Sequence, residues 1–207
     1  MITELFSNMV TALLAIIKET GYLGIFLGMV IESTFIPLPS EIILIPAGVL
    51  VAKGEMSFLI VFLAGVFGSL IGATINYFLS LYLGRATVDV LISKYGNLFF
   101  INKEKIKKSE IFFNNDGEIT TFVGRLIPGA RHLISIPAGF LKMNFSKFCL
   151  YTSLGAGLWT LILIYVGYFV GNNASWVNGN KDVLTLILLL FSAIVVIIYL
   201  LLKKRKK

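Results

Sequence analysis

Four charged side chains stand inside apolar stretches of this 207-residue chain: Glu32, Glu41, Arg125 and Arg131. A charge at bilayer depth costs at least about 2.5–3.5 kcal/mol, so residues in such places are candidates for function. The arginines suit a particular chemistry. A guanidinium is a planar fork that matches the oxygens of a phosphate. Arg125 and Arg131 flank Pro128-Gly129, a pair that breaks a helix and leaves backbone N–H groups free to add to an anion site. The two arginines are therefore the candidate binding site for a phosphate headgroup. Glu32 and Glu41 would balance them when the site is empty. Glu32, buried near a polar tip, could also take up and release protons. Glu41 follows Ser40, which reads as an N-cap, so the helix dipole favours an acid there. The competing reading is a pair of buried salt bridges that only hold the protein together.

Other chemistries find little support. His132 is the single histidine, and no Cys/His/Asp cluster accompanies it. No metal or cofactor is expected on that basis, and His132 reads as a local hydrogen-bonding residue. There is no nucleophile elbow, no Walker loop and no metalloprotease helix, so the chain does not read as an enzyme. Cys149 is the single cysteine; no internal disulfide can form, and the thiol reads as a small hydrophobe. Nucleic acid is not the expected partner of the +7 net charge, because the lysines cluster outside the apolar runs.

The elements that must position these charges are membrane helices. Apolar residues make up 57% of the chain and charged ones 14%, where a soluble domain carries about a quarter. The fold class is an all-α polytopic membrane protein. Residues 1–20 read as an interfacial amphipathic helix, with Leu5, Phe6, Met9, Val10, Leu13, Leu14 and Ile17 on one side. Its start lacks a basic n-region, so no cleavable signal peptide is expected. Residues 21–171 form the main membrane domain. Within it, 21–52 and 119–145 each consist of two short apolar arms around a polar, Pro-containing tip. Arms of 11–15 residues span about half of a ~30 Å hydrocarbon core, which predicts two re-entrant hairpins. Pro37 and Pro39 mark the first tip, and Pro128 and Gly129 the second. Pro46 and Pro137 lie in the returning arms and cannot donate to the carbonyls of Ile42 and Leu133, predicting a free carbonyl near each tip. Full crossings are predicted at 58–84, 148–171 and 184–202. The last belongs to a C-terminal segment, 172–207, that ends in five basic residues. Gly65, Gly68 and Gly72 give the first crossing a face for close helix approach, and Asn76 reads as an interhelical hydrogen-bond donor or acceptor.

The hairpins repeat one another. Ile36-Pro37 is followed by Ile45-Pro46-Ala47-Gly48, and Ile127-Pro128 by Ile136-Pro137-Ala138-Gly139, at an offset of 91 residues throughout. One crossing separates the hairpins, so they must open to opposite sides, as in an inverted-topology repeat with a site near the midplane. The basic residues of 85–118, Lys142, Lys147 and the terminal run fall on one side; Lys18, Lys53 and Lys181 fall on the other. The positive-inside rule then puts 85–118 and the C-terminus in the cytoplasm.

Taken together, these motifs resemble the DedA family, the bacterial branch of the group sharing the VTT (SNARE-associated) domain. The resemblance rests on Glu32-x4-Pro37-x-Pro39-Ser40-Glu41, on the Gly-rich crossing ending in Gly84-Arg85, and on Phe122-x-Gly124-Arg125-x-x-Pro128-Gly129-x-Arg131-x-x-x-Ser135-x-Pro137-Ala138-Gly139. It covers residues 20–171. It implies opposed re-entrant hairpins in the bacterial cytoplasmic membrane. It also implies lipid translocation: undecaprenyl phosphate recycling in some members, phosphatidylethanolamine in others, scrambling in eukaryotic relatives, and a link to proton motive force in several. The family's essential arginines map to Arg125 and Arg131, and its acids to Glu32 and Glu41. One departure is Ala73, which follows Gly72 where many members carry an acid. The expected function is a flippase- or scramblase-like transporter of a phosphate-bearing lipid, with undecaprenyl phosphate leading. Its partners would be membrane lipids and protons, and its glycine faces permit a homo-oligomer. The alternatives are a proton-coupled exporter of small solutes or ions, a phosphatidylethanolamine translocase, and a membrane scaffold.

Overall fold

Long apolar runs without interior charge favour helix in a bilayer, because a helix satisfies every backbone group internally. The computed structural model describes residues 2–34, 39–95, 103–127, 131 and 133–173, and all regular structure among them is helical. In chain order the helices are α1 (Ile2–Glu32), α2 (Glu41–Ala52), α3 (Phe58–Tyr95), α4 (Lys103–Leu126), α5 (Ser135–Phe140) and α6 (Phe145–Asn172). Three segments are long and apolar enough to cross a membrane: Ala12–Glu32, Phe58–Gly84 and Phe145–Asn172. The protein is therefore a helical membrane protein. The second and third segments coincide with predicted crossings. The first crosses the predicted boundary between the N-terminal helix and the first apolar arm: α1 is two helices joined at a kink at Gly21 (φ 62°, ψ −151°), where that boundary falls. The predicted crossing at 184–202, the basic tail, Pro37, Pro128, Gly129 and His132 lie outside the described residues.

The outer surface is what a lipid solvent requires. On α3, Leu63, Phe67, Ile71, Ile75 and Leu79 recur every fourth residue and are all 41–53% exposed; Leu150, Leu154 and Leu158 do the same on α6. Inside, two apolar clusters form. One gathers Ile25, Met29, Leu44, Ala47, Val61 and Ile164; the other gathers Ala73, Tyr77, Ile134, Ala138 and Phe148. The first cluster contributes Met29 to the wall of a polar pocket.

Glycines decide how closely the helices approach. A Cβ on Gly48 would lie 2.3 Å from the carbonyl oxygen of Ile164 and 2.9 Å from Cα of Gly167, so α2 touches α6 backbone to backbone. A Cβ on Gly139 would meet the Tyr77 carbonyl oxygen at 2.2 Å and Ser80 Cβ at 2.8 Å, so α5 touches α3 in the same manner. Gly68 lets α3 reach the Phe26 carbonyl of α1, and Gly155 lets α6 reach Phe122 and Arg125 of α4. The short helices also end alike. After α2, the Glu55 N–H reaches the Leu50 carbonyl with Gly54 at φ 71°; after α5, the Met143 N–H reaches the Ala138 carbonyl with Lys142 at φ 55°. Both are Schellman closures, a left-handed turn that glycine adopts freely and lysine does not.

Candidate functional site

Glu32 ends α1 and Glu41 begins α2; Leu126 ends α4 and Ser135 begins α5. The polar residues near these four helix ends converge. Arg131 Nη2 lies 2.9 Å from Glu32 Oε1, with the two side chains 8% and 3% exposed. The same nitrogen lies 3.7 Å from Glu41 Oε2, whose side chain is 37% exposed. Arg131 Nη1 donates to Ser40 Oγ at 2.7 Å. Arg125, equally buried, donates from Nη2 to Ser135 Oγ at 3.0 Å and forms no salt bridge among the described residues. The four predicted charges thus meet, but unevenly: both acids serve Arg131.

Supporting contacts fix the acids. Ser33 Oγ donates to Glu32 Oε2 at 2.8 Å, and Asn76 Nδ2 donates to the Ser33 carbonyl at 3.2 Å, the interhelical bond expected of Asn76. Gly72 allows this, because a Cβ there would lie 2.4 Å from the Val30 carbonyl oxygen. A small polar pocket opens at the meeting point, lined by Glu32, Ser33, Ser69, Arg125, Arg131 and Thr160, with Trp159 and apolar Met29 and Ala156 beside them. Its room is about that of one water molecule. Among the described residues, Arg125 Nε, Arg131 Nε and Thr160 Oγ1 of this wall are buried with no hydrogen-bond partner. Buried donors are normally paired, so these groups stand out.

Two expectations require correction. Ser40 stands at the N-cap of α2, but its side chain makes no capping bond. The α2 start is closed instead by backbone, with Ile42 N–H on the Pro39 carbonyl and Leu44 N–H on the Ser40 carbonyl. The Ser40 hydroxyl is spent on Arg131 and on Trp159 Nε1, which donates to it at 3.1 Å. The carbonyl of Leu133 is not free either: Ile136 N–H, one residue before Pro137, takes it at 3.0 Å. Pro46 sits inside α2 and Pro137 inside α5, while Pro39 is exposed at the turn into α2. Ser40, Ser135, Thr160 and Trp159 were missed as site residues. A small polar residue in an apolar run is too common to stand out, and only Ser40, beside Glu41, carried any signal.

The geometry is that of a buried pocket lined by paired charges, and the match to known proteins agrees with its membrane setting. Residues 38–169 match the VTT domain. The chain belongs to the VTT-domain (DedA) family. It is 36% identical over 165 residues to undecaprenyl phosphate transporter A of Bacillus subtilis, covering 80% of this chain and 79% of that one. It is 31% identical to undecaprenyl phosphate transporter A of Staphylococcus aureus, covering 73% and 74%. It is also 34% identical to an "alkaline phosphatase-like protein" of Lactococcus lactis, covering 82% and 80%. No solved structure matches the chain.

Proposed function

We propose that this VTT-domain protein carries a phosphate-bearing lipid between the leaflets of a bacterial cytoplasmic membrane, with undecaprenyl phosphate as the substrate. The carrying observation is the pocket lined by Arg125, Arg131 and Thr160, whose Arg125 Nε, Arg131 Nε and Thr160 Oγ1 are buried without hydrogen-bond partners among the described residues. Two guanidinium groups and a hydroxyl lining one small volume are complementary to a tetrahedral oxyanion. The pairing is uneven in a way that suits an anion: Arg131 is paired with Glu32 and Glu41, whereas Arg125 donates to the Ser135 hydroxyl and forms no salt bridge among the described residues. Two relatives of similar length bear the name undecaprenyl phosphate transporter, which supports the choice of lipid.

In this reading, segments 21–52 and 119–145 are re-entrant hairpins that open to opposite sides of the bilayer, and their tips build the site at its midplane. Matched contacts support the repeat. The atoms that meet Gly48 belong to Ile164, Gly167 and Tyr168; those that meet Gly139 belong to Tyr77, Ser80 and Leu81, at a constant offset. Ser40 and Arg131, which bond each other, are repeat mates 91 residues apart. The C-terminus and the 85–118 connector face the cytoplasm. The pocket has room for only about one water, so a headgroup enters when the tips part. Glu32 then loses its hold on Arg131 and takes up a proton, while the more exposed Glu41 stays within reach of water.

The test is leaflet exchange of undecaprenyl phosphate in vesicles holding the purified protein, with phosphatidylethanolamine and phosphatidylglycerol in parallel. Exchange of the prenyl phosphate that disappears in Arg125→Ala and Arg131→Ala is the expected result. Release of inorganic phosphate without exchange would make the protein a phosphatase. No exchange of any lipid by folded protein would end the transporter reading.

A further inference from the structure

The two halves of the protein differ at one level of their packing. Gly68 of α3 lies against Phe26 and Met29, and Gly155 of α6 lies against Phe122 and Arg125, with the same three-residue spacing. One turn further along, α3 has Gly72, which brings Val30 and Ser33 into direct contact with it. One turn further along α6 stands Trp159. A bulky ring holds that level of the second half apart, and the polar pocket lies there, with Trp159 in its wall. The indole makes two specific contacts. Its Nε1 donates to Ser40 Oγ at 3.1 Å, and its ring faces the Arg131 guanidinium, whose Cζ is 5.6 Å from the centroid. Ser40 Oγ in turn accepts from Arg131 Nη1. Trp159, Ser40 and Arg131 therefore form a closed triangle drawn from α6, the start of α2 and the segment between α4 and α5. With Nη1 held by Ser40 and Nη2 by Glu32, Nε is the guanidinium nitrogen that has no partner.

We propose that Trp159, acting with Ser40, is a positioning residue for the oxyanion site: it fixes the plane of the Arg131 guanidinium so that its Nε edge is presented to a phosphate. This rests on the phosphate reading of the pocket. Ser40 and Trp159 keep their contacts with Arg131 when the anion is bound, and the anion uses Nε together with Arg125 and Thr160. Loss of either positioning contact lets the guanidinium rotate, and binding weakens by about the worth of one neutral hydrogen bond, roughly fivefold. The two losses act through the same triangle, so they do not add.

The chain has two tryptophans, and Trp176→Phe leaves Trp159 as the single fluorophore. Full-length protein in detergent would be titrated with inorganic phosphate and with a short-chain polyprenyl monophosphate, which separates free phosphate from a lipid headgroup. Affinity would be measured by calorimetry alongside. The expected result is a saturable change in Trp159 emission that is absent in Arg131→Ala. In addition, Trp159→Phe and Ser40→Ala should each weaken binding about fivefold, and the double variant no further. Should one variant fail to fold, the other decides, since both remove the Trp159–Ser40 bond, Ser40→Ala taking the Arg131 bond with it. Wild-type affinity in a folded variant, or calorimetric binding without a change in Trp159 emission, would overturn the positioning role and leave the phosphate site standing. Absence of binding to either probe by folded wild-type protein would overturn both.

Discussion

Removing either arginine should abolish anion binding, but the two substitutions should differ sharply in what they do to the fold. Arg131→Ala takes an ion-pair partner from Glu32, whose side chain is 3% exposed and 2.9 Å from the guanidinium. Breaking a buried pair from one side costs about 3–5 kcal/mol, because the remaining charge loses compensation. Arg131→Ala also releases Ser40 from its bond to a charged donor, adding about 1.5–3 kcal/mol. Arg125→Ala leaves no buried acid stranded. It gives up one hydrogen bond to Ser135, of about 1.5–3 kcal/mol for a charged donor, and removes a buried cation that has no salt bridge among the described residues. Arg131→Ala should therefore be the more destabilising by about 2 kcal/mol or more, a difference of over tenfold in the unfolding equilibrium. Adding Glu32→Gln should recover much of the loss in the Arg131→Ala protein, while in the Arg125→Ala protein it should only add damage. The assay is thermal unfolding in one mild detergent, read by size-exclusion recovery, on the four single and double variants. Equal destabilisation by the two arginine substitutions would refute the unequal pairing. So would an Arg131→Ala protein that gains nothing from Glu32→Gln.

Three further outcomes follow from the packing. Gly48→Val and Gly139→Val would each drive a side chain into a backbone carbonyl at about 2.3 and 2.2 Å, so each should cost about 3 kcal/mol or more and lower the yield of folded protein on size exclusion. Lys142→Gly should raise stability by about 1 kcal/mol, visible as a higher melting temperature, because Lys142 is held at φ 55° where glycine carries no Cβ penalty. Lys147 donates to Glu118 in an exposed ion pair between α6 and α4. Exchanging the two charges should leave melting temperature and transport at wild-type values, since exposed pairs contribute little.

How far the sequence carries differs between the fold and the site. The helices were legible because their cause is local: an apolar run must bond its own backbone in lipid, and 58–84 and 148–171 recur as α3 and α6 within a few residues. The chain bend at Gly21 coincides with a change from amphipathic to apolar pattern that can be read by eye. Gly68, Gly72 and Asn76 were recognisable as contact residues because small and amide side chains in a crossing have few other uses. Glu32, Glu41, Arg125 and Arg131 were recognisable because charge in an apolar stretch is costly wherever it ends up.

What composition and spacing could not assign is who bonds whom. Ser40 carries the local pattern of a helix cap, yet its hydroxyl is drawn away by Arg131 and Trp159, which come to it from 91 and 119 residues along the chain. Leu133 was expected to keep a free carbonyl, but the turn before α5 tightens so that Ile136 reaches it. Arg131 receives both acids and Arg125 neither, although the two arginines stand six places apart in one motif. The reason is physical. A side chain's partner is set by which backbones come within a few ångströms, and here that is decided by glycines on helices remote in sequence: Gly72 against Val30, Gly155 against Arg125, and Gly48 against Ile164. The sequence by itself determined that this is a helical membrane protein with four costly charges in its apolar stretches. Only the tertiary structure decided that both acids pair with Arg131 while Arg125 bonds the Ser135 hydroxyl.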